Sequence, residues 1–415
     1  MEPSATIFCR SCGAPLERLF VDLGVSPISN ALRRPDNVEP EPFFPLRAFV
    51  CDSCRLVQLQ DVASREAHFH DHYTYFSSYS DSWLSHASDY AQRMIGDLEL
   101  SAESLVVEVA SNDGYLLQYF KGAGVPVLGI DPAANCAQVA QVERGVPTLV
   151  RFFGEALARE MADVGRRADL LVANNVLAHV PDLNDFAAGL SIVLRPGGVL
   201  TIEFPHLLQM IEQGYFDTIY HEHYSYLSLL SLERLMARHG LAVFDLEELS
   251  THGGSLRVYL GHAGRQGLAA SDRVQRFRDR EAAAGLDGPE AYAAFSLQVQ
   301  AAKRALLKLL IQVKEEGGRI AAYGAPAKGA VLLNYCGIDH DFLDYTVDRN
   351  PRKQGHVMPG TSIPIHGPER IFETRPDFVL LLPWNLREEI MAQMSGIREW
   401  GGRFIVPLPE PAILA

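Results

Sequence analysis

No apolar run in this chain of 415 residues comes close to the roughly 20 residues that a membrane-spanning helix needs. Its first residues, MEPSATIFCRSC, lack the basic-then-apolar pattern of a secretory leader, so a cytoplasmic protein with no membrane partner is expected. Positive charge is scarce too. Against 51 acids stand 37 lysines and arginines, a net charge of −14; such a surface repels phosphate backbones and argues against a nucleic-acid partner. Two further absences narrow the chemistry. The dinucleotide fingerprint G-x-G-x-x-G is missing, which counts against NAD, and the hydrolase pattern H-E-x-x-H fails because Ser225 stands where the second histidine after His221-Glu222 is required.

What is present is the composition of a soluble globular protein, 47% apolar and 21% charged, which excludes collagen, coiled coil and long disorder. The length is about twice what one hydrophobic core serves, so two or three domains are expected. Three are read along the chain. Residues 1–75 carry two cysteine pairs between polar and proline-rich stretches, with little apolar mass. Residues 76–265 open on a helical pattern over 76–95 and then alternate β-branched runs (LVVEVA, VPVLGID, VPTLV, ADLLVANNV, GGVLTIEF) with helical ones, which predicts a parallel sheet covered by helices. Residues 266–415 begin with a long amphipathic helical region near 271–315 and repeat the alternation in GRIAAYGAPAKG, LDYTVDRN, PDFVLLLPWN and RFIVPLP. The predicted fold class is therefore α/β, with two Rossmann-like units and an N-terminal module.

Of the six cysteines, four form the pairs Cys9/Cys12 and Cys51/Cys54. Two C-x-x-C turns supply four soft thiolates in tetrahedral geometry, so these residues are the predicted ligands of a structural Zn²⁺, closed to chemistry because no coordination position remains open. The competing account, two unconnected pairs with one acting as a redox dithiol, is weakened by the lack of a thioredoxin-like strand and helix around them.

In VVEVASNDGYLL a strand runs through Glu108 and Ala110 into the turn Asn112-Asp113-Gly114 that starts a helix, and an acid, Asp131, closes the next strand. A helix N-terminus offers free N–H groups, and a carboxylate about 20 residues on can accept both hydroxyls of a ribose, so an adenosine-containing cofactor is predicted. Asn174 and Asn175, at the end of a later strand, would line the same cleft. These segments, with ANNVLAHVPDLNDF and LRPGGVLTIEF, resemble the class I methyltransferases that use S-adenosylmethionine. Ala110 departs from the glycine usual there.

The densest group of reactive side chains is Tyr220-His221-Glu222-His223-Tyr224-Ser225-Tyr226. In an extended segment the two histidines would face one way and Glu222 the other; the competing account is aromatic packing at a domain seam. Further on, Gly324-Ala-Pro-Ala-Lys328-Gly329 follows a strand and precedes a helix, a layout that holds phosphates, although its order is not that of a Walker A loop. Arg349 and Arg352 add local positive charge, and THGGSLRVYL brings His252 and Arg257 as contacts for an anionic ligand.

Taken in order, the cysteine module, EFPH, YHEHYSY, HGGSLR and GAPAKG closely resemble the three-domain deoxysugar C-methyltransferases, which act on nucleotide-linked keto-sugars in antibiotic pathways. The resemblance spans nearly the whole chain. It implies S-adenosylmethionine in the middle domain and a TDP-linked 4-keto-deoxysugar whose diphosphate lies mainly against the C-terminal unit. It also implies His223 as the base that removes a proton beside the ketone, with Glu222 and Tyr220 at its side, His179 near the sugar and Tyr75 reaching in from the first module. The ring carbon methylated, C3 or C5, and the oligomeric state stay open, a monomer being plausible. The rival readings are a zinc-containing RNA methyltransferase, opposed by the acidic charge, and a non-enzymatic nucleotide-sugar binding protein, which has no need of a cofactor site.

Overall fold

The computed structural model describes residues 6–62, 76–265 and 268–415, and Tyr75 lies outside them. Three sheets follow one another along the chain. The first runs antiparallel in the order Arg18–Ser26, Phe44–Val50, Val57–Leu59, Ser225–Tyr226. Its fourth strand comes from far down the chain, so the N-terminal module is completed by the segment that follows His223. Its core is also shared. Phe20 stacks on Phe295 of the helix Glu290–Glu315 with ring centroids 4.5 Å apart, which is how a module with little apolar mass of its own reaches full burial at Phe20, Leu46 and Leu56.

The second sheet has seven strands, in the order Leu241–Leu249, Ser255–His262, Leu194–Pro205, Ala168–Asn174, Val106–Val109, Val127–Ile130, Thr148–Leu149. The last five are parallel and the first two pair antiparallel at the edge. Val106–Val109 is buried at every position, as a central parallel strand covered on both faces must be. Chain order reverses between this strand and Ala168–Asn174, and in open α/β sheets a ligand crevice forms at the carboxyl ends of strands at such a point.

The third sheet repeats the plan in the order Ile365–His366, Thr346–Val347, Ile320–Tyr323, Phe378–Leu381, Arg403–Val406, Ala412–Leu414, with only the last strand antiparallel. Its reversal lies between Ile320–Tyr323 and Phe378–Leu381, above the turn that begins at Gly324. The helical region expected over 271–315 is two helices, Asp272–Ala283 and Glu290–Glu315. Gly285, at φ 78°, takes the left-handed conformation that ends the first, and Pro289 precedes the second. Over 76–95, Ser77–Tyr79 makes a 3-10 turn and Asp81–Asp97 the helix, capped by the Ser80 hydroxyl accepting from the Trp83 amide at 3.3 Å. Among the described residues no helix is long and apolar enough to cross a membrane.

Candidate active site and zinc centre

The four cysteines Cys9, Cys12, Cys51 and Cys54 converge, with all sulfur atoms within 4.8 Å of one another. Cys9 and Cys54 are 3.4 Å apart, Cys12 and Cys51 3.5 Å. Thiolates at roughly 2.3 Å from a tetrahedral zinc stand roughly 3.8 Å from each other, so the donor set fits Zn²⁺. Three of the four are buried.

At the reversal point of the middle sheet the turn after Val106–Val109 is unusual. Ala110 and Asn112 take positive φ, 60° and 48°, where glycine is the ordinary choice, and Asn175 opposite them does the same at 51°. Asp131 holds the turn: one carboxylate oxygen accepts from the Asn112 amide and the other from the Ala133 amide, both at 2.8 Å. Each oxygen keeps a further lone pair for a ribose hydroxyl. Burial raises the Asp131 carboxyl to about 6, against those two amides. Glu108 is fully buried, and burial pushes its carboxyl well above the ordinary range, partly offset by the Tyr115 hydroxyl. Around the cleft Asp113 Oδ1, Asn174 Oδ1 and Asn175 Oδ1 are buried acceptors with no hydrogen-bond partner among the described residues. They suit a ligand that brings donors, such as the ammonium and hydroxyls of S-adenosylmethionine. At Gly114, φ 77°, an added Cβ would lie 3.1 Å from that of Ala140, so glycine there also lets the helix Ala134–Glu143 close on the turn. The segment after the undescribed stretch closes over the same loop: the Ser77 amide donates to Asn112 Oδ1 at 2.9 Å and the Ser78 hydroxyl to Asp113 Oδ2 at 2.5 Å.

Arg257 does not face a ligand. Its guanidinium, 2% exposed, pairs at 2.5 Å with Glu203, 0% exposed, and at 3.3 Å with Glu247. The expected anion contact is therefore corrected to an internal ion pair, because both strands flanking Ser255–His262 place an acid directly across from it. Glu203 also accepts from Thr251 Oγ1 at 3.0 Å and from His86 Nε2 at 3.0 Å. Burial opposes its charge, but His86 and Arg257 win and hold its carboxyl at about 2. Through Thr251 it anchors the turn that presents His252, itself at φ 53°. Asn175 Nδ2 donates to His252 Nε2 at 3.3 Å, and Trp83 packs on the same ring at 5.2 Å. His252 thus lies in the middle domain beside Asn175 and Trp83. Burial lowers it to about 4.

The segment 220–223 is a tight turn, closed by the His223 amide donating to the Tyr220 carbonyl at 2.8 Å. The extended geometry expected there is absent, and the two histidines part company. His221 donates from Nε2 to the Pro45 carbonyl at 3.1 Å, in the N-terminal sheet. His223 donates from Nδ1 to the Thr218 carbonyl at 2.9 Å, which leaves Nε2 as an acceptor, and the Tyr220 hydroxyl donates to it at 2.7 Å. His179 stands edge-on, 4.6 Å between centroids, and its Nδ1 donates to the Glu222 carbonyl at 2.8 Å. Burial, aided by the charges of His179, Lys328 and His252, drives His223 well below the usual imidazole range, so the ring is held in its neutral form. Glu222 turns the other way. Asn30 Nδ2 donates to both its oxygens, at 2.8 and 2.7 Å, and burial raises its carboxyl to about 7.

In the third sheet the turn 324–328 repeats the cofactor turn. Asp348, at the end of the next strand, accepts from the Ala325 amide with Oδ2 and from the Asn350 amide with Oδ1, both at 2.8 Å. This is the arrangement of Asp131. Gly324, at φ 90°, lies where a Cβ would meet Pro383 at 2.6 Å. Arg349 stays half-exposed beside Glu389, and Arg352 lies over the Phe76 ring at 4.7 Å, at the seam with the cofactor domain. Lys328 donates to Asn385 Oδ1 at 2.9 Å and sits 4.6 Å above the Trp384 ring. Asp348 was within reach of the sequence, as an acid ending the strand after the loop; Asn30, Glu203, Asp217 and Trp384 carried no local signal.

The seven-stranded doubly wound sheet, with its first turn tied to Asp131, has the fold of the class I methyltransferases, the class that uses S-adenosylmethionine. Three family models match the chain: "Putative zinc binding domain" over residues 9–69, "Methyltransferase domain" over 82–246 and "C-methyltransferase C-terminal domain" over 250–409. The C-methyltransferase NovU of Streptomyces niveus is 36% identical over 408 residues, 98% of this chain and 96% of that one. The ubiquinone biosynthesis O-methyltransferase of Brucella ovis matches only 96 residues at 25% identity, 23% of this chain and 39% of its own. Among solved structures, the PH0226 protein of Pyrococcus horikoshii OT3 covers 46% of this chain and 95% of its own, at 15% identity and a TM-score of 0.37. The chain belongs to the family of zinc-bearing C-methyltransferases that includes NovU.

Proposed function

We propose that the protein methylates a carbon beside the ketone of a TDP-linked 4-keto-deoxysugar, in the cytoplasm and as a step toward an antibiotic sugar. The observation that carries this reading is the Tyr220–His223 pair, a neutral imidazole whose tautomer is fixed by the Thr218 carbonyl and whose Nε2 lone pair accepts from the Tyr220 hydroxyl. A C–H bond next to a ketone is weakly acidic, and such a pair removes its proton: the Tyr220 oxygen takes it while passing its own to His223 Nε2. Glu222, braced by Asn30, and His179 border the sugar. The second Rossmann-like unit supports a nucleotide handle, with the amides of Ala327 and Lys328 and the side chains of Arg349 and Arg352 toward the diphosphate. S-adenosylmethionine, held by residues 110–114, Asp131, Asn174 and Asn175, supplies an electrophilic methyl group. No catalytic metal enters the proposal, since the four cysteines fill a tetrahedral zinc.

The test is direct. Purified protein with S-adenosylmethionine and TDP-4-keto-deoxysugars should give S-adenosylhomocysteine and a sugar nucleotide one methylene heavier by mass spectrometry. Methylation at an oxygen, shown by fragmentation, or turnover on RNA in place of sugar would overturn the reading.

A further inference from the structure

We propose that Lys328 is a catalytic residue that binds the substrate ketone and stabilises the enolate oxygen, instead of gripping phosphate as its loop suggests; this rests on the keto-sugar reading above. The lysine leads the first turn of the helix Ala327–Cys336, yet its amine is drawn to the turn Trp384–Leu386, over one indole and onto Asn385. That indole connects the chemistry on two sides. Its Nε1 donates at 2.6 Å to Asp217 Oδ2, and the Asp217 carboxylate, 0% exposed, has no hydrogen-bond partner for its Oδ1 among the described residues. Asp217 precedes Thr218, whose carbonyl fixes His223. The other edge of the indole lies against Gly253, where an added Cβ would be 2.8 Å from Trp384 Cη2, beside His252.

Lys328 is therefore held among the same elements that carry the two imidazoles, and its charge depresses both of them. Burial lowers the Lys328 amine in turn, with Asp217 acting against it. An ammonium facing neutral bases is suited to an anion that exists only during the reaction. A diphosphate, charged throughout, is better met by half-exposed groups such as Arg349. As the C–H bond breaks, its proton passes to the Tyr220–His223 pair, its electrons form a C=C bond, and the carbonyl π pair moves to oxygen. Lys328 donates an N–H to that oxygen and keeps its proton. Preorganised donors of this kind are worth about 10²–10³ in rate.

The experiment follows exchange of the substrate's α-hydrogen in D₂O by NMR, with no methyl donor added, beside steady-state methylation, for wild type, Lys328→Met and Lys328→Arg. Exchange and kcat should fall about 10²–10³-fold in Lys328→Met while KM for the nucleotide sugar changes less than about threefold. Lys328→Arg should recover at least about tenfold over Met, as a retained charge would. The acid limb of the Lys328→Met rate should move to higher pH, because His223 loses the ammonium that faces it, while its other neighbours, His179, His252, Tyr220 and the Thr218 carbonyl, are unchanged. Unaltered cofactor affinity and zinc content confirm that the variants fold. A Lys328→Met enzyme that keeps exchange and kcat while KM rises would overturn the proposal and leave the keto-sugar reading intact. A wild type that neither exchanges nor methylates any nucleotide-linked ketone would sink both.

Discussion

Replacing Glu203 by Gln should cost the protein several kcal/mol, and the size can be worked from the ion pair itself. Arg257 and Glu203 meet at 2.5 Å with side chains 2% and 0% exposed, so removing the Glu203 charge leaves a buried guanidinium with the longer pair to Glu247 at 3.3 Å, a loss of about 3 kcal/mol, at the low end for a broken buried pair. An independent route agrees. The Glu203 carboxyl falls from 4.5 to about 2, and at about 1.36 kcal/mol per pH unit this amounts to roughly 3 kcal/mol. Because the native value is the lower one, this stabilisation is fully present above pH 4.5 and is lost as pH falls from 4.5 toward 2. For a domain of this size roughly 3 kcal/mol lowers Tm by roughly 6–12 °C. Thermal melts at pH 7.5 followed by circular dichroism would measure it. The double change Glu203→Leu with Arg257→Met should recover much of the loss, since a packed apolar pair avoids desolvating two charges. A Glu203→Gln protein melting within about 2 °C of wild type would refute the reasoning, since roughly 3 kcal/mol cannot hide in so small a shift.

His223→Asn should abolish turnover, and Tyr220→Phe should lower it about 10²-fold or more, while calorimetry finds cofactor affinity unchanged; near-normal rates in both would remove the base assignment. In the wild type the acid limb of kcat/KM should lie below pH 6.5, because His223 stays unprotonated down to that range. Cys51→Ala should lose bound zinc and lower Tm, as should a strong chelator, if the metal is a folding element; metal analysis with the melt decides it. Ala110→Gly should stabilise the protein by about 1 kcal/mol, since alanine is held at φ 60° where only glycine is unstrained. A lower urea midpoint in that variant would contradict the strain argument.

The parts that could be read in advance are those in which function is written locally. The turn 110–114 and the acid that ties it, Asp131, are one strand and one helix apart, and the cysteine pairs announce their geometry by spacing alone. Arg257 was misread because a charge in a sequence shows no partner. The acids that claim it lie on two neighbouring strands, and only the register sets them opposite. Asn30 and Glu222 are separated by 192 residues, Asp217 and Trp384 by 167, and no periodicity carries contacts of that range. The strands of the N-terminal module escaped notice for a related reason, since the apolar surface that Phe20 packs against belongs to the helix Glu290–Glu315. The turn at 220–223 defeated the two-residue alternation expected of it because its backbone closes on itself.

The strand Ser225–Tyr226 is short, yet it stitches the polypeptide just past His223 to the edge of the cysteine-bearing sheet. Disturbance of the cysteine cluster would therefore pass from Cys54 through Val57 across to Tyr226 and back along the chain to His223. Anyone grafting this N-terminal piece onto a relative would need to transplant the 220–228 stretch with it, for the two behave as a single mechanical part.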